Sequence, residues 1–465
     1  MPTIALFGTS ANPPGEHHRE IVRAAARMFD KVIIVPCGPR TDGKLTVNDI
    51  APIHRAIMSD LAFRTIAPNV EVDLSDLERK SFTKTYELDE RYRRYGDAYH
   101  IVGMDLVSRD IGGIPQVQTW EHGLDLWNNA RFAVVLRVGI PFNPQDMPPN
   151  HILISPERSG SSTEIRRNIF EHKSIIGLVS PEIETYIGQF GLYREYKKHD
   201  RIFVNISEPR IIFFVNQHSE EARRLYQEVR HLENQENPNL VVTIGGDGIM
   251  THAIRAHWRR RVPFLGINAG HEGFLLNERV GHLTADFFKQ EFVLRSSPLL
   301  HVRAVGDDGG VQEIMAVNDA WMQVEPGNTG WFELYVDGRR KFSEIDPVEG
   351  DGVLVATAAG STAYARTMGA TPMHYSEDKL VLVGSHIIKP FSWKQGTHLH
   401  NDDAEVRIVN ADKSGWRKLF GFADNLKLGQ VNEMQIRLSR IASAHLLFTP
   451  QSDREKIDKY RFPKN

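Results

Sequence analysis

The tetrad Gly245-Gly246-Asp247-Gly248 constrains this chain more than any other stretch. It follows the apolar run Leu240-Val241-Val242-Thr243-Ile244, which reads as a buried strand of a parallel sheet. It precedes Ile249 to Trp258, which reads as a helix. Glycines at a strand-to-helix turn let backbone N–H groups approach phosphate oxygens, and the helix N-terminus adds favourable partial charge. A carboxylate among phosphates is repelled unless it has chemical work, such as orienting Mg²⁺ or taking the proton of an attacking hydroxyl. Alone, the tetrad also fits a tight turn without a ligand. The segments after it decide between the two.

With 465 residues, the chain has room for about three domains of ~150 residues. An apolar fraction of 41% and a charged fraction of 25% are ordinary for a globular protein with a sizeable core. The net charge of −3 argues against nucleic acid or a membrane surface as the partner of the whole chain. Cys37 is the only cysteine, which excludes a disulfide framework and a cysteine-based zinc site. No apolar stretch is long enough to span a bilayer, and Met1-Pro2-Thr3-Ile4 enters a strand without a signal peptide. The expectation is a cytoplasmic protein that handles small molecules.

The first part alternates strands and helices. Strands are expected at Ile4–Gly8, Lys31–Pro36, Val70–Leu74, His100–Val102, Phe132–Arg137 and Ile152–Ser155. Helices are expected at Glu16–Asp30, with Ile21, Ala24, Ala25 and Met28 on its core face, and at His54–Thr65, Thr163–Glu171 and Pro181–Phe190. Such alternation predicts a parallel sheet covered by helices on both faces. The charged run Arg194 to Arg201 reads as a boundary. A second α/β start follows with a strand at Arg210–Val215 and a helix at Glu220–Glu233. From about Pro298 the pattern becomes short alternating β runs, as in Ile314–Val317, Phe332–Val336 and Val353–Ala356.

Three segments beyond the tetrad carry chemistry. Gly266-Ile267-Asn268-Ala269-Gly270 is another glycine-rich turn after an apolar run. Asn318-Asp319 pairs an amide with a carboxylate that can hydrogen-bond ribose hydroxyls or an adenine edge. Asp351-Gly352 leads through a strand into Thr357-Ala358-Ala359-Gly360-Ser361-Thr362-Ala363-Tyr364, a small-residue turn with hydroxyls and one aromatic. In this order and at these separations the segments resemble the NAD kinase family over roughly Arg210 to Phe448, including Gly421-Phe422-Ala423-Asp424-Asn425. The resemblance implies transfer of the ATP γ-phosphoryl group to the adenosine 2′-hydroxyl of NAD. It makes Asp247 the proton acceptor or a metal-orienting carboxylate, with Gly245, Gly246, Gly248, Asn268 and Gly270 around the nucleotide. Asn318 and Asp319 would hold the NAD ribose. Asp351, Thr357, Ser361, Thr362, Ala363 and Tyr364 would line the dinucleotide site. The chain departs from the family at Ile249 (usually Thr), Glu272 (Leu), Ala358 (Pro) and Gly369-Ala370-Thr371 (Gly-Gly-Pro).

The first half has its own phosphate-binding pattern. Gly8-Thr9-Ser10 opens a loop that runs through Asn12-Pro13-Pro14-Gly15 to His17 and His18 at the first helix. Its backbone donors can cradle a triphosphate, with His18 supplying positive charge. Ser162 or Thr163 caps a helix that also carries Arg166, a planar cation suited to phosphate. Gly103 and Asp105 at a strand end can accept ribose hydroxyls, Trp120 can stack on a base, and Lys44 can reach a phosphate. From Ile4 to Tyr193 these segments resemble the nicotinamide or nicotinate mononucleotide adenylyltransferases. His18 matches the second His of the His-x-Gly-His signature, and Ser162-Thr163 to Arg166 matches the Ser-Thr-x-x-Arg phosphate site. Gly15 stands where that signature has His or Thr, and His17 where it has Gly.

The expected architecture is therefore α/β throughout. A Rossmann-like nucleotidyltransferase domain (residues 1–196) precedes an NAD kinase-like domain (202–465). The latter divides into an α/β subdomain (202–297), a β-rich, β-sandwich subdomain (298–440) and a tail (441–465). The implied function is bifunctional. Adenylyl transfer from ATP to NMN or NaMN gives NAD and pyrophosphate, and ATP-dependent 2′-phosphorylation then gives NADP. The implied cofactor is Mg²⁺ or another divalent cation, with ATP as co-substrate. The implied assembly is a homo-oligomer through the kinase-like half, with neither nucleic acid nor membrane as partner. Two rivals remain: only the kinase half is active, or that half senses NAD(P) without turnover.

Overall fold

The computed structural model describes residues 1–39, 50–108, 113–136, 143–158, 160–194, 202–270, 273–342, 346–374, 377–390, 393 and 398–461, with the side chains of 457–461 excepted. Two compact units result, Met1–His199 and Asp200–Asn465.

In the first unit, six strands form one sheet: β1 (Thr3–Thr9), β2 (Lys31–Pro36), β3 (Val70–Val72), β4 (Asp97–Gly103), β5 (Arg131–Val135) and β6 (His151–Ile154). Their order is β3-β2-β1-β4-β5-β6, and every neighbouring pair is parallel. Both faces are covered, so the strands are apolar runs rather than alternating ones; Ile4, Ala5, Leu6 and Phe7 of β1 are all buried. The order reverses between β1 and β4, and a crevice opens at the carboxyl ends of those strands. One helix differs from expectation. Glu16–Met28 turns Val22 and Ala25 inward, followed by Phe29, whereas Met28 is 47% exposed. The apolar face is set one residue away from the expected stripe because Phe29, just past the helix, supplies the bulk that Met28 was expected to give.

In the second unit, Ile211–Val215, Leu240–Gly245 and Phe264–Asn268 pair in parallel. The helix Asp247–His257 packs Met250, Ala253 and Ile254 onto them, and Leu275, Leu276, Val317 and Ala359 join the same core. This helix begins at Asp247 rather than at Ile249, which places the carboxylate in its first turn, directly after the cap Gly246.

The β-rich part is continuous with these strands. Leu426–Phe448 pairs in parallel with Phe264–Leu265 at one end and antiparallel with Glu291–Gly306 along most of its length. The register shifts between Pro298, opposite Ser443, and Leu300, opposite Leu438. A proline donates no ladder hydrogen bond, and a bulge there bends both strands. On one side of the bend Leu299, Ala442, Ala444 and Leu446 face the α/β core. On the other, Leu300, Val302, Met434 and Ile436 face the β-rich core. The boundaries expected at 297/298 and 440/441 therefore fall inside single strands, which serve both layers. Among the described residues, no helix is long and apolar enough to cross a membrane.

Candidate functional site

At the switch point of the first sheet, a cavity of ≈ 330 Å³ is lined by Gly8 and Thr9 of β1, His100, Ile101 and Val102 of β4, and Trp120, with Asp76, Lys84 and Glu121 also on its wall. Position 8 is open: a Cβ there would meet nothing within 4 Å, so a ligand can lie against the strand end. Lys84 pairs with Glu121, and buried His100 pairs with Asp89 at 3.0 Å.

The loop after β1 is held by cations on its carbonyls. Arg55, only 4% exposed, donates to the Ser10 carbonyl at 2.6 Å. Arg166 donates to the Asn12 carbonyl at 2.5 Å and to the Thr163 hydroxyl at 3.2 Å. Ser162 donates to the Pro13 carbonyl at 2.9 Å, and Tyr193 to the Asn12 side chain at 2.7 Å. These contacts fix the course of the loop from its carbonyl side, while the amides of Ala11 and Gly15 are engaged within it, on Thr9 Oγ1 at 3.2 Å and His18 Nδ1 at 3.1 Å. The cap of the Ser162–Phe170 helix is Ser161, whose hydroxyl accepts from the Glu164 amide, rather than Ser162 or Thr163.

His17 and His18 stack with ring centroids 3.9 Å apart. Adjacent helical side chains ordinarily point in different directions; here the missing side chain of Gly15 makes the difference. A Cβ at Gly15 would lie 2.7 Å from the His17 ring, and one at Gly160 3.0 Å from it, so two glycines form a notch for that imidazole. The Gly15 amide donates to His18 Nδ1 at 3.1 Å, which assigns the proton of a neutral ring to Nε2. Gly103 ends β4 and Asp105 follows in the first turn of a short helix. Lys44 lies outside the described residues, as does Glu272.

In the second unit, Asp247 is fixed by backbone. Its two carboxylate oxygens accept from the amides of Phe274, at 2.8 Å, and Leu275, at 3.0 Å. Burial pushes its pKa up, and the two amides and the Lys456 ammonium oppose that shift. A carboxylate raised in this way is better matched to accepting a proton near neutrality. The 268–270 turn lies alongside the tetrad, with the Ala269 amide donating to the Gly245 carbonyl at 3.0 Å and the Gly270 amide to the Asn268 side chain at 2.9 Å. A Cβ at Gly246 or Gly248 would meet nothing within 4 Å, so backbone on that side is approachable.

Asn318 and Asp319 are set by Asp424, whose carboxylate accepts from the amides of Val317, at 3.0 Å, and Asn318, at 2.8 Å. Arg255, from the helix that Asp247 begins, lies 3.6 Å from that carboxylate and donates to Asn425 at 3.0 Å. Asp319 is 3% exposed, and burial together with the nearby Asp424 pushes its pKa up to about 8.

The small-residue turn is built into the backbone. Thr357 donates to the Val317 carbonyl at 2.9 Å, Ser361 to Ala358 at 2.6 Å and Thr362 to Ala359 at 2.9 Å. Position 360 must be glycine, because a Cβ would sit 2.0 Å from the Asn318 carbonyl oxygen. Beyond Ala363, Tyr364 lies in a different recess of ≈ 230 Å³ with Asp351, Trp321, Gln323 and His386. Asp351 pairs there with His386 at 2.9 Å. Asp247, Asn318 and Asp319 do not line that recess.

Among the described residues, no three His, Cys, Asp or Glu side chains gather as a metal cage. The local donor set is the single Asp247 carboxylate. It suits a divalent cation that arrives on a triphosphate and takes most of its ligands from phosphate and water.

With this geometry in hand, comparison with known proteins yields two matches. Residues 6–168 match the cytidylyltransferase-like family, and residues 205–286 match the ATP-NAD kinase N-terminal domain family. The chain joins a segment similar to cytidylyltransferases to one similar to the N-terminal domain of ATP-NAD kinases. An NAD kinase of Staphylococcus aureus (strain JH9) is 33% identical over 156 residues, covering 32% of this chain and 56% of the relative. The chain thus spans about half the length of the curated relatives it matches. Among solved structures, yeast NADH kinase complexed with NADH aligns over 49% of this chain and 68% of its own, at 17% identity and a TM-score of 0.41. An NAD kinase from Archaeoglobus fulgidus in complex with ATP aligns over 54% of this chain and 97% of its own, at 19% identity and a TM-score of 0.41.

Sequence reading did not single out Arg55, Tyr193, Arg255 or Lys456. Each acts on a segment between 45 and 209 residues away, through a contact with no local sequence signal. A basic residue at a position that turns out buried is the one clue, and burial is not visible before the fold is.

Proposed function

We propose that this chain carries out two consecutive reactions. In the first unit, the 5′-phosphate of NMN or NaMN attacks the ATP α-phosphorus, and pyrophosphate leaves. In the second, the adenosine 2′-hydroxyl of NAD attacks the ATP γ-phosphorus, ADP leaves, and the hydroxyl proton passes to Asp247. The product of the first reaction, in its nicotinamide form, is the substrate of the second, which gives one chain a reason to hold both.

The observation that carries this reading is Asp247. It stands in the first turn of a helix after glycines, with both oxygens oriented by the amides of Phe274 and Leu275. A fixed, partly desolvated carboxylate suits proton acceptance, and phosphoryl transfer otherwise needs alignment and charge neutralisation. Asp319 and Asn318 would hold the ribose. In the first unit, His18 Nε2, Arg166 and the loop amides would stabilise charge on the phosphates, and no protein nucleophile is needed. A bound divalent cation would add charge neutralisation on the triphosphate. The same reading makes the protein cytoplasmic. Because Asp351 and Tyr364 line a recess apart from Asp247, it also favours a homo-oligomer in which a second copy completes the dinucleotide site.

The side-chain-free Gly15 favours one rival, in which only the kinase half turns over. A chromatographic product assay separates the readings. Protein with Mg²⁺-ATP is given NMN, NaMN or NAD in parallel. NADP from NMN is the expected result. NADP from added NAD alone would leave the kinase half as the active one. No NADP from any substrate would overturn the proposal in favour of a sensor.

A further inference from the structure

The carboxyl-terminal helix Pro450–Arg461 reaches the segment that orients Asp247. Lys456 on that helix is only 5% exposed, and its Nζ donates to the Gly273 carbonyl at 2.9 Å. The next two peptide amides, of Phe274 and Leu275, are the ones that hold the Asp247 carboxylate. Lys456 also lies 5.5 Å from the Phe448 ring centroid, and its charge faces Asp247, Glu278 and Glu455. Burying an ammonium is costly unless it is paired, so a lysine in this place has a specific reason to be there.

Two further ties hold this segment and the helix in place. Asn277, 2% exposed, donates to the carbonyls of Gly266 and Leu447 and accepts from the Thr449 amide at 2.7 Å. Asp453, 1% exposed, pairs with Arg295 through two contacts, at 2.8 and 2.9 Å. These ties anchor the helix on the strands. Lys456 reaches past them to the loop beside the carboxylate.

Resting on the kinase reading above, we infer that Lys456 is a positioning residue for Asp247. It draws the Gly273 carbonyl onto the terminal helix, fixes the peptide planes that follow, and so aims both amides at the carboxylate. The lysine needs no contact with substrate.

The test uses the full chain and three readouts. Lys456→Met keeps the stem and removes charge and donor. The expected result is a kcat for NADP formation lower by roughly 10–100-fold, with KM for NAD and ATP within about twofold, because a small misplacement of a reacting group costs rate rather than binding. Lys456→Arg, which keeps charge and donor, is expected to recover most of that loss. Hydrogen exchange supplies a readout independent of turnover: the amides of Phe274 and Leu275 should exchange at least about tenfold faster in Lys456→Met. Unchanged exchange and unchanged kcat in Lys456→Met overturn the inference. Equal losses in Lys456→Arg and Lys456→Met also overturn it, since charge and donor would then not matter. If Lys456→Met does not fold, Lys456→Gln, which also removes the charge and shortens the reach, takes its place: lower kcat with unchanged KM and faster exchange than in Lys456→Arg supports the role, and a Lys456→Gln enzyme unaltered in both overturns it. If the unaltered chain makes no NADP at all, the kinase reading fails first, and exchange at Phe274 and Leu275 still reports whether Lys456 fixes the loop.

Discussion

The loop from Gly8 to Gly15 and the turn from Gly245 to Gly248 both join a buried parallel strand to a helix, yet they are held from opposite directions. The first is a long loop whose carbonyls are gripped by side-chain cations, Arg55 on Ser10 and Arg166 on Asn12. The second is a tight turn whose one carboxylate is gripped by backbone amides, those of Phe274 and Leu275. The difference follows from the chemistry each would serve. Where the protein is to supply only positive charge, the loop itself must be shaped, and arginines on its carbonyls fix that shape. Where the protein is to supply a base, the base must be aimed, and rigid peptide dipoles aim it without adding a competing charge beside the phosphates.

The contrast is broken most directly at Asp247. Asp247→Asn is expected to lower NADP formation by roughly 10²–10⁴-fold while NAD still binds, as read by product chromatography and calorimetry. A variant that retained turnover would remove the proton-accepting role and leave the two regions alike, as phosphate cradles only. The counterpart change in the first unit is Arg166→Ala. It is expected to lower NAD formation from NMN by roughly 10–100-fold, the value of charge-assisted hydrogen bonds, and to leave conversion of NAD to NADP untouched. Loss of both reactions would mean that the two units are not independent.

A smaller effect comes from pH. Asp319 is raised from an ordinary 3.8 to about 8, first by burial and then by Asp424. It is therefore protonated at neutral pH and ionises above about 8, where it becomes a better acceptor for ribose hydroxyls. The KM for NAD should fall roughly tenfold between pH 7 and 9, the scale of one hydrogen bond to a charged group. Asp319→Asn should flatten the profile, and adenylyl transfer should not show it. The stability sign is opposite. A folded-state pKa above the unfolded one contributes stability at low pH that is lost as pH rises from about 4 to about 8, and thermal melts of the same variant check this.

Several elements were legible in the residues. Lys31–Pro36 and Pro181–Phe190 have the expected bounds, because β-branched runs and a proline at the first helical position are local signals. The stripe of the Glu16–Met28 helix was misplaced, since Phe29 beyond the helix end competes for the same space and periodicity alone cannot see it. The division of the second half was also blurred, because one bend at Pro298 lets the same two strands line both cores.

By itself the sequence determined the alternating α/β plan, the two glycine turns and the identity of the acids, bases and cations beside them. These rest on local spacing, on which residues tolerate a strand-to-helix turn and which carry charge. Only the tertiary structure decided what those groups do to one another. It placed Arg55 and Arg166 on loop carbonyls, folded His17 against His18 over Gly15, and split Tyr364 and Asp351 from Asp247. It also brought Lys456 across 209 positions to act on Asp247. Such contacts depend on packing between distant segments, and burial turns an ordinary lysine or aspartate into a perturbed one only after the chain has closed around it.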